Sequence, residues 1–217
     1  MAIVHQTVLT PSKLELVTSW LPRQPWYRGA TTEPALSKAG GFRLDDPAGE
    51  VGIEVMLLAD GVGVDAVTYL VPLTYRGAPL DGADDALVGT MEHGVLGRRW
   101  AYDGLRDPVL VAELLALIEG RAQAQDQNLS DTPDRQVSCS SSGDLRMGTI
   151  TTVDTEDGTE LLGADGLSIR VCRVPQAVPT GASLVPKGAV GHVSGVWRAG
   201  DGGPAHGLFA VVLPTTP

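Results

Sequence analysis

Residues 69–80 read Y-L-V-P-L-T-Y-R-G-A-P-L, and residues 89–118 read G-T-M-E-H-G-V-L-G-R-R-W-A-Y-D-G-L-R-D-P-V-L-V-A-E-L-L-A-L-I. The stretch opens as a buried strand, crosses an acidic loop, D-G-A-D-D at 81–85, and closes in the clearest helix of the chain. Asp107 and Pro108 mark that helix's start, with a capping carboxylate followed by a proline where no amide hydrogen is needed. Val111, Leu114, Leu115 and Ile118 then recur at helical spacing and form one apolar face. The same stretch gathers Glu92, His93, Arg98, Arg99, Trp100, Tyr102, Asp103, Arg106 and Asp107, the densest mix of charged and aromatic side chains in the sequence. It is the expected working surface of the first half. Glu92 beside His93 suggests a general base, yet no serine or cysteine stands near them in sequence for a base to activate. A turn role for His93, with Arg98 and Arg99 solvated or bridging to acidic loops, is the simpler reading.

Working outward, Thr10-Pro11-Ser12 reads as an earlier helix start with Thr10 as the cap, and Leu14, Val17, Trp20 and Leu21 as the buried face. Pro22 ends that helix. The segment W-L-P-R-Q-P-W-Y-R-G (20–29) is a bend with Trp26, Tyr27 and Arg28 at its tip. Two readings stand there: Trp26 packs back on the core, as tryptophans mostly do, or the three residues form a docking knob. Residues 50–58 and 66–73 read as strands joined by a hairpin. Gly61, Gly63 and Ala66 fit a dinucleotide-binding spacing, but a strand rather than a helix follows, so that reading is rejected.

Residues 126–136, D-Q-N-L-S-D-T-P-D-R-Q, form a polar linker or surface loop. Beyond it, strand-like runs at 137–140, 147–153, 167–174, 189–197 and 208–213 alternate with turn clusters, including P-T-G at 179–181, and the last two suggest a hairpin around Asp201 to Gly203. The expected fold class is α+β: a mainly antiparallel, curved β-sheet with two principal helices, about 11–21 and 107–124, packed on it, and a β-rich C-terminal half. The expected organisation is one α+β domain over 1–125, a linker over 126–136 and a β subdomain over 137–217. Whether the second half continues the first half's sheet is left open.

With 217 residues, of which 43% are hydrophobic, the chain has material for a sizeable core. A formal charge of −10 argues against nucleic acid and anionic membranes as partners, since both select basic surfaces. No apolar run reaches the roughly 18 residues of a membrane span, and M-A-I-V-H-Q-T-V-L-T-P-S-K lacks the pattern of a secretory signal. Cys139 and Cys172 have no metal-ligand spacing, and two free thiols in a cytoplasmic protein are the favoured reading over a disulfide. The aspartates of 81–85 suit a solvated edge better than a cation site, which needs several converging oxygens. No metal or cofactor is expected, and the oligomeric state is open.

The segments W-L-P-R-Q-P-W-Y-R-G, Y-L-V-P-L-T-Y and R-R-W-A-Y-D-G-L-R-D-P-V-L-V-A-E-L-L-A-L-I resemble, in that order, the N-terminal cap of actinobacterial maltokinases and related aminosugar kinases, across residues 1–125. The resemblance implies an antiparallel sheet with helices packed on it, ahead of a kinase-like fold. The phosphotransfer parts of such kinases are missing from this sequence: no H-G-D, H-R-D or D-F-G triplet occurs, and the lysines are Lys13, Lys38 and Lys187. The expectation is a non-catalytic, stand-alone cap-like protein, an accessory to a sugar kinase or to another enzyme of α-glucan or trehalose metabolism. Its expected contact surface comprises Trp26, Tyr27, Arg28, Glu92, His93, Arg98, Arg99, Trp100, Tyr102 and Asp103. The alternatives are a sugar- or sugar-phosphate-binding protein and, at longer odds, a sugar kinase in its own right.

Overall fold

The structure, a computed structural model, describes residues 8–179 and 183–215. The P-T-G turn expected at 179–181 therefore lies largely outside the described residues. Seven strands build a first sheet: β1 (Leu9–Thr10), β2 (Leu36–Asp45), β3 (Gly52–Asp60), β4 (Val67–Arg76), β5 (Leu87–His93), β6 (Gly97–Asp103) and β7 (Gln125–Asp126). Their spatial order is β1-β5-β6-β4-β3-β2-β7, with antiparallel pairing throughout. Six more form a second antiparallel sheet in the order β8-β12-β13-β11-β10-β9: β8 (Ser138–Ser141), β9 (Ile150–Thr155), β10 (Gly158–Gly163), β11 (Leu167–Val171), β12 (Gly191–Arg198) and β13 (Pro204–Pro214). The second half thus makes its own sheet and does not extend the first. With helices α1 (Lys13–Trp20) and α2 (Pro108–Ile118), this is the β-rich α+β fold the sequence implied.

The first sheet is an inner layer. Along β3, Ile53, Val55, Leu57 and Ala59 point to one face, and Met56 and Leu58 to the other. One face packs under α1, Trp20, Leu21 and Trp26. The opposite face meets α2 and the second sheet, so that Phe42, Leu44 and Leu70 share a core with Leu110, Leu114, Val193, Trp197 and Phe209. Phe42 and Phe209 stack across the layers with ring centroids 6.2 Å apart.

Both helices are shorter than expected, and capping chemistry gives the reason. Ser12, not Thr10, caps α1: its hydroxyl accepts from the Glu15 N–H and the Glu15 carboxylate accepts from the Ser12 N–H, a reciprocal box that Thr10 has no partner to form. Helix α2 starts as read, with Asp107 as cap and Pro108 in its first turn, but stops at Ile118 rather than running to 124. Gly120 takes φ +74°, its N–H donates to the Leu117 carbonyl, and the Arg121 N–H donates to the Ala116 carbonyl. That pair of bonds satisfies the last carbonyls and turns the chain away.

Five strands, β1, β2, β6, β7 and β10, escaped the sequence reading. β2 carries a bulge between Lys38 and Gly40 that breaks its alternation. β10 falls between the strand-like runs read at 147–153 and 167–174. The Arg-Arg-Trp-Ala-Tyr-Asp run, expected as part of a contact surface, is strand β6. Residues 126–136 are tied down: Arg43 donates to the Asp126 and Leu129 carbonyls, and the Asp126 N–H donates to the Thr132 carbonyl at 2.7 Å.

Candidate functional site

Strand geometry divides the expected contact surface. β5 and β6 pair with Glu92 opposite Arg98, Thr90 opposite Trp100 and Met91 opposite Arg99. Side chains alternate along β6, so Arg98, Trp100 and Tyr102 face one way and Arg99, Ala101 and Asp103 the other. Ala101 and Met91 are core on the α1 side, which fixes the second set inward. Tyr102 is buried as well, its hydroxyl accepting from the Leu80 N–H at 2.9 Å. Glu92 and Arg98 remain exposed with Trp100 half-buried, and the Arg98 guanidinium lies 5.2 Å from the Trp100 ring. His93 ends β5 and braces the turn after it: its Nδ1 accepts from the Val95 and Leu96 N–H groups at 3.2 and 3.0 Å. The turn it braces presents Val95 and Leu96, 61% and 46% exposed, beside Val8 at 77%. That apolar tip carried no sequence signal, because two aliphatic residues in a glycine-flanked loop look like any short strand end.

At the aromatic bend Trp26 is buried, Tyr27 half-buried and Arg28 exposed. Trp26 is fully buried, edge-on to Trp20 and against Tyr69. The Tyr27 hydroxyl donates to the Thr31 carbonyl at 2.9 Å. Arg28 reaches the turn between β9 and β10, donating to the Glu156 carbonyl at 2.8 Å. Asp103 is buried too, paired with Arg173 at 2.5 Å. Arg173, 0% exposed, also donates to the Thr159 hydroxyl at 2.8 Å, and its guanidinium sits 4.8 Å from the Trp26 ring. The Thr159 hydroxyl donates in turn to Asp154, whose other oxygen takes Arg106 at 2.6 Å. Burial would raise the Asp154 carboxyl, but the Thr159 and Arg106 bonds, with the nearby Arg173 charge, hold it below its ordinary range. This chain of polar groups fastens the turn after β6 to the second sheet. An aspartate and an arginine neutralised by each other inside a core make a clamp and leave neither free for a substrate.

Asp107 has a parallel role. Arg76 grips its two oxygens at 2.7 Å each, while one oxygen caps α2 through the Val109 N–H. Burial opposes its ionisation, and the Arg76 and Val109 bonds outweigh burial and depress its pKa. Among the described residues, no group of three His, Cys, Asp or Glu side chains is placed to hold a metal, and Cys139 and Cys172 are separate free thiols. Among the described residues, no helix is long and apolar enough to cross a membrane.

A polar groove of about 480 Å³ opens elsewhere, at the seam of the two sheets. Lys38 and Gly41 of β2, residues 126–128 and 133–136, and Arg198 at the end of β12 line it. Gly41 has φ +136°, and a Cβ there would stand 2.3 Å from both the Gln127 amide nitrogen and the Val55 carbonyl oxygen. Glycine there leaves room for the Gln127 side chain against β3. None of these lining residues was singled out as a site from the sequence.

The family comparison falls on the first sheet. The matched segment takes in the aromatic bend and strands β2 to β6, and leaves the bulk of α1, all of α2 and the second sheet outside it. Residues 20–107, from the last residue of α1 to the aspartate that caps α2, match the family model of the maltokinase N-terminal cap domain.

Proposed function

We propose that this chain is a non-catalytic cap module that docks on a sugar-kinase catalytic domain or on a related enzyme of α-glucan or trehalose metabolism, through the β5–β6 hairpin. The observation that carries the reading is the hairpin itself: within the cap-matching segment, Val95 and Leu96 stand exposed at its tip beside the Arg98–Trp100 pair. Aromatic residues and arginines dominate interface energetics, and exposed aliphatic residues rimmed by charge suit a protein partner. Two carboxylates of the charged stretch, Asp103 and Asp107, are paired with Arg173 and Arg76, which supports a non-catalytic role.

Titration of the purified chain against the sugar-kinase catalytic domain of the same organism tests the reading. Binding is expected, with at least a tenfold loss in the double variant Val95→Asp/Leu96→Asp. Undiminished binding by that variant, or ATP turnover by the purified chain alone, would overturn it.

A further inference from the structure

We infer that the groove between the sheets is a binding site for a small phosphorylated polyol. Three cations line it, Lys38, Arg135 and Arg198, in a chain whose formal charge is −10. Neither Arg135 nor Arg198 is in an ion pair among the described residues. Two carboxylates also line the groove, and both are engaged by backbone: Asp126 accepts from the Asn128 and Leu129 N–H groups at 2.7 and 2.9 Å, and Asp134 from the Gln136 N–H at 2.8 Å. Three cations against two carboxylates leave the lining one charge positive on an acidic background, and an anion is the ligand it attracts.

The remaining polar lining is amide. The Gln127 amide nitrogen donates to Glu54 at 3.2 Å and the Asn128 amide oxygen accepts from Lys38 at 3.4 Å, so these two keep part of their amides, and Gln136 both its donors and its acceptor, for the hydroxyl groups of a ligand. Guanidinium groups match the oxygens of a phosphoryl group in a fixed fork. The volume, about 480 Å³, falls in the range of small-molecule sites. The frame is rigid: Arg43, 9% exposed, holds the loop by two carbonyls, the 124–134 segment is cross-linked by backbone hydrogen bonds, and Gly41 permits the close approach. The groove draws on β2 of the first sheet, the connecting loop and Arg198 of the second, so the site exists only when the two sheets are packed together. This site is separate from the β5–β6 hairpin and stands or falls independently of the docking reading.

Isothermal titration of the full chain at low salt with glucose 6-phosphate, ribose 5-phosphate and glycerol 3-phosphate provides the test, with glucose and inorganic phosphate as controls. At least one ester is expected to bind with a submillimolar Kd and ten times more tightly than either control. Arg135→Gln and Arg198→Gln are each expected to weaken it about tenfold with an unchanged thermal midpoint. Because both side chains are exposed, folding of these variants is not at stake. No binding by any ester, inorganic phosphate binding as tightly as the esters, or full affinity in both variants would each overturn the assignment.

Discussion

The two sheets bury their side chains in different ways. In the first, β3 and β4 are each buried along seven consecutive residues, Ile53–Ala59 and Thr68–Thr74, because the sheet has cover on both faces. In the second, β9 alternates half-buried and exposed residues from Ile150 to Thr155, because one face meets the core and the other meets water. An inner layer depends on both of its covers, whereas an outer layer depends on one. The segment that matches the cap family contains the inner strands and the aromatic bend, and the cover for their other face comes from α2 and the second sheet. The second half is thus part of the first half's folding unit in energetic terms.

The severest way to break this comparison is a chain ending at Asp107. It would expose Phe42, Leu44, Val55, Leu57 and Leu70 together, and it is expected to show no cooperative thermal transition by circular dichroism and to bind a hydrophobic dye. A sharp two-state melt would show that the inner sheet stands without its second cover. Next in size is Arg173→Met, which strands the Asp103 carboxylate in the core. The expected loss is about 3–5 kcal/mol in urea unfolding, with much of it recovered in Arg173→Met/Asp103→Leu. If the single variant unfolds like the wild type, the buried clamp does not join the sheets.

A smaller effect concerns acid. Asp107 and Asp154 have folded pKa values below their unfolded ones, so their contribution is fully present above the unfolded carboxylate range and is lost as pH falls through the folded values. Stability is therefore expected to be level from neutral pH down to about pH 5 and to decline below about pH 4. Asp154→Asn should shallow that decline, and an identical acid profile in the variant would remove Asp154 from the account. The smallest effect is expected at the hairpin: Val95→Asp/Leu96→Asp should leave the urea midpoint within about 0.5 kcal/mol of wild type, since both side chains already face water. A larger loss would mean the tip packs on something within the chain.

The comparison also marks what could be read from residues alone. Strands buried on both faces write themselves as unbroken apolar runs, so Y-L-V-P-L and E-V-M-L-L were legible, as was the Asp-Pro helix start. Trp26 followed the ordinary habit of tryptophan and is core. The surface expected around residues 92–103 divides on one point of geometry: a strand sends alternate side chains inside, so Arg98 and Trp100 lie outward while Ala101 and Asp103 are buried. β2 hid behind its bulge. The groove was out of reach for another reason, because Lys38, Arg135 and Arg198 lie in three separate parts of the chain and meet only through sheet packing. Pairings such as Asp103 with Arg173 are likewise set by the tertiary fold.

One backbone contact carries a consequence in time. β6 pairs with β4 only from Leu73 onward, which leaves the earlier part of that β4 edge without a strand partner. Leu70 and Pro72 share this edge, so the proline's missing N–H falls where no ladder bond is due, and the Leu70 N–H is taken at 2.8 Å by the Arg173 carbonyl. The preceding residue, Cys172, donates to Phe209 in the second sheet, so two consecutive residues lace one sheet to the other. On the ribosome, every strand from β1 to β6 emerges before Arg173 does. Until then β4 carries an open edge, a template for the wrong neighbour. Closure of that edge waits for Arg173, and a newly made chain stalled before it is the species a chaperone would have to shield.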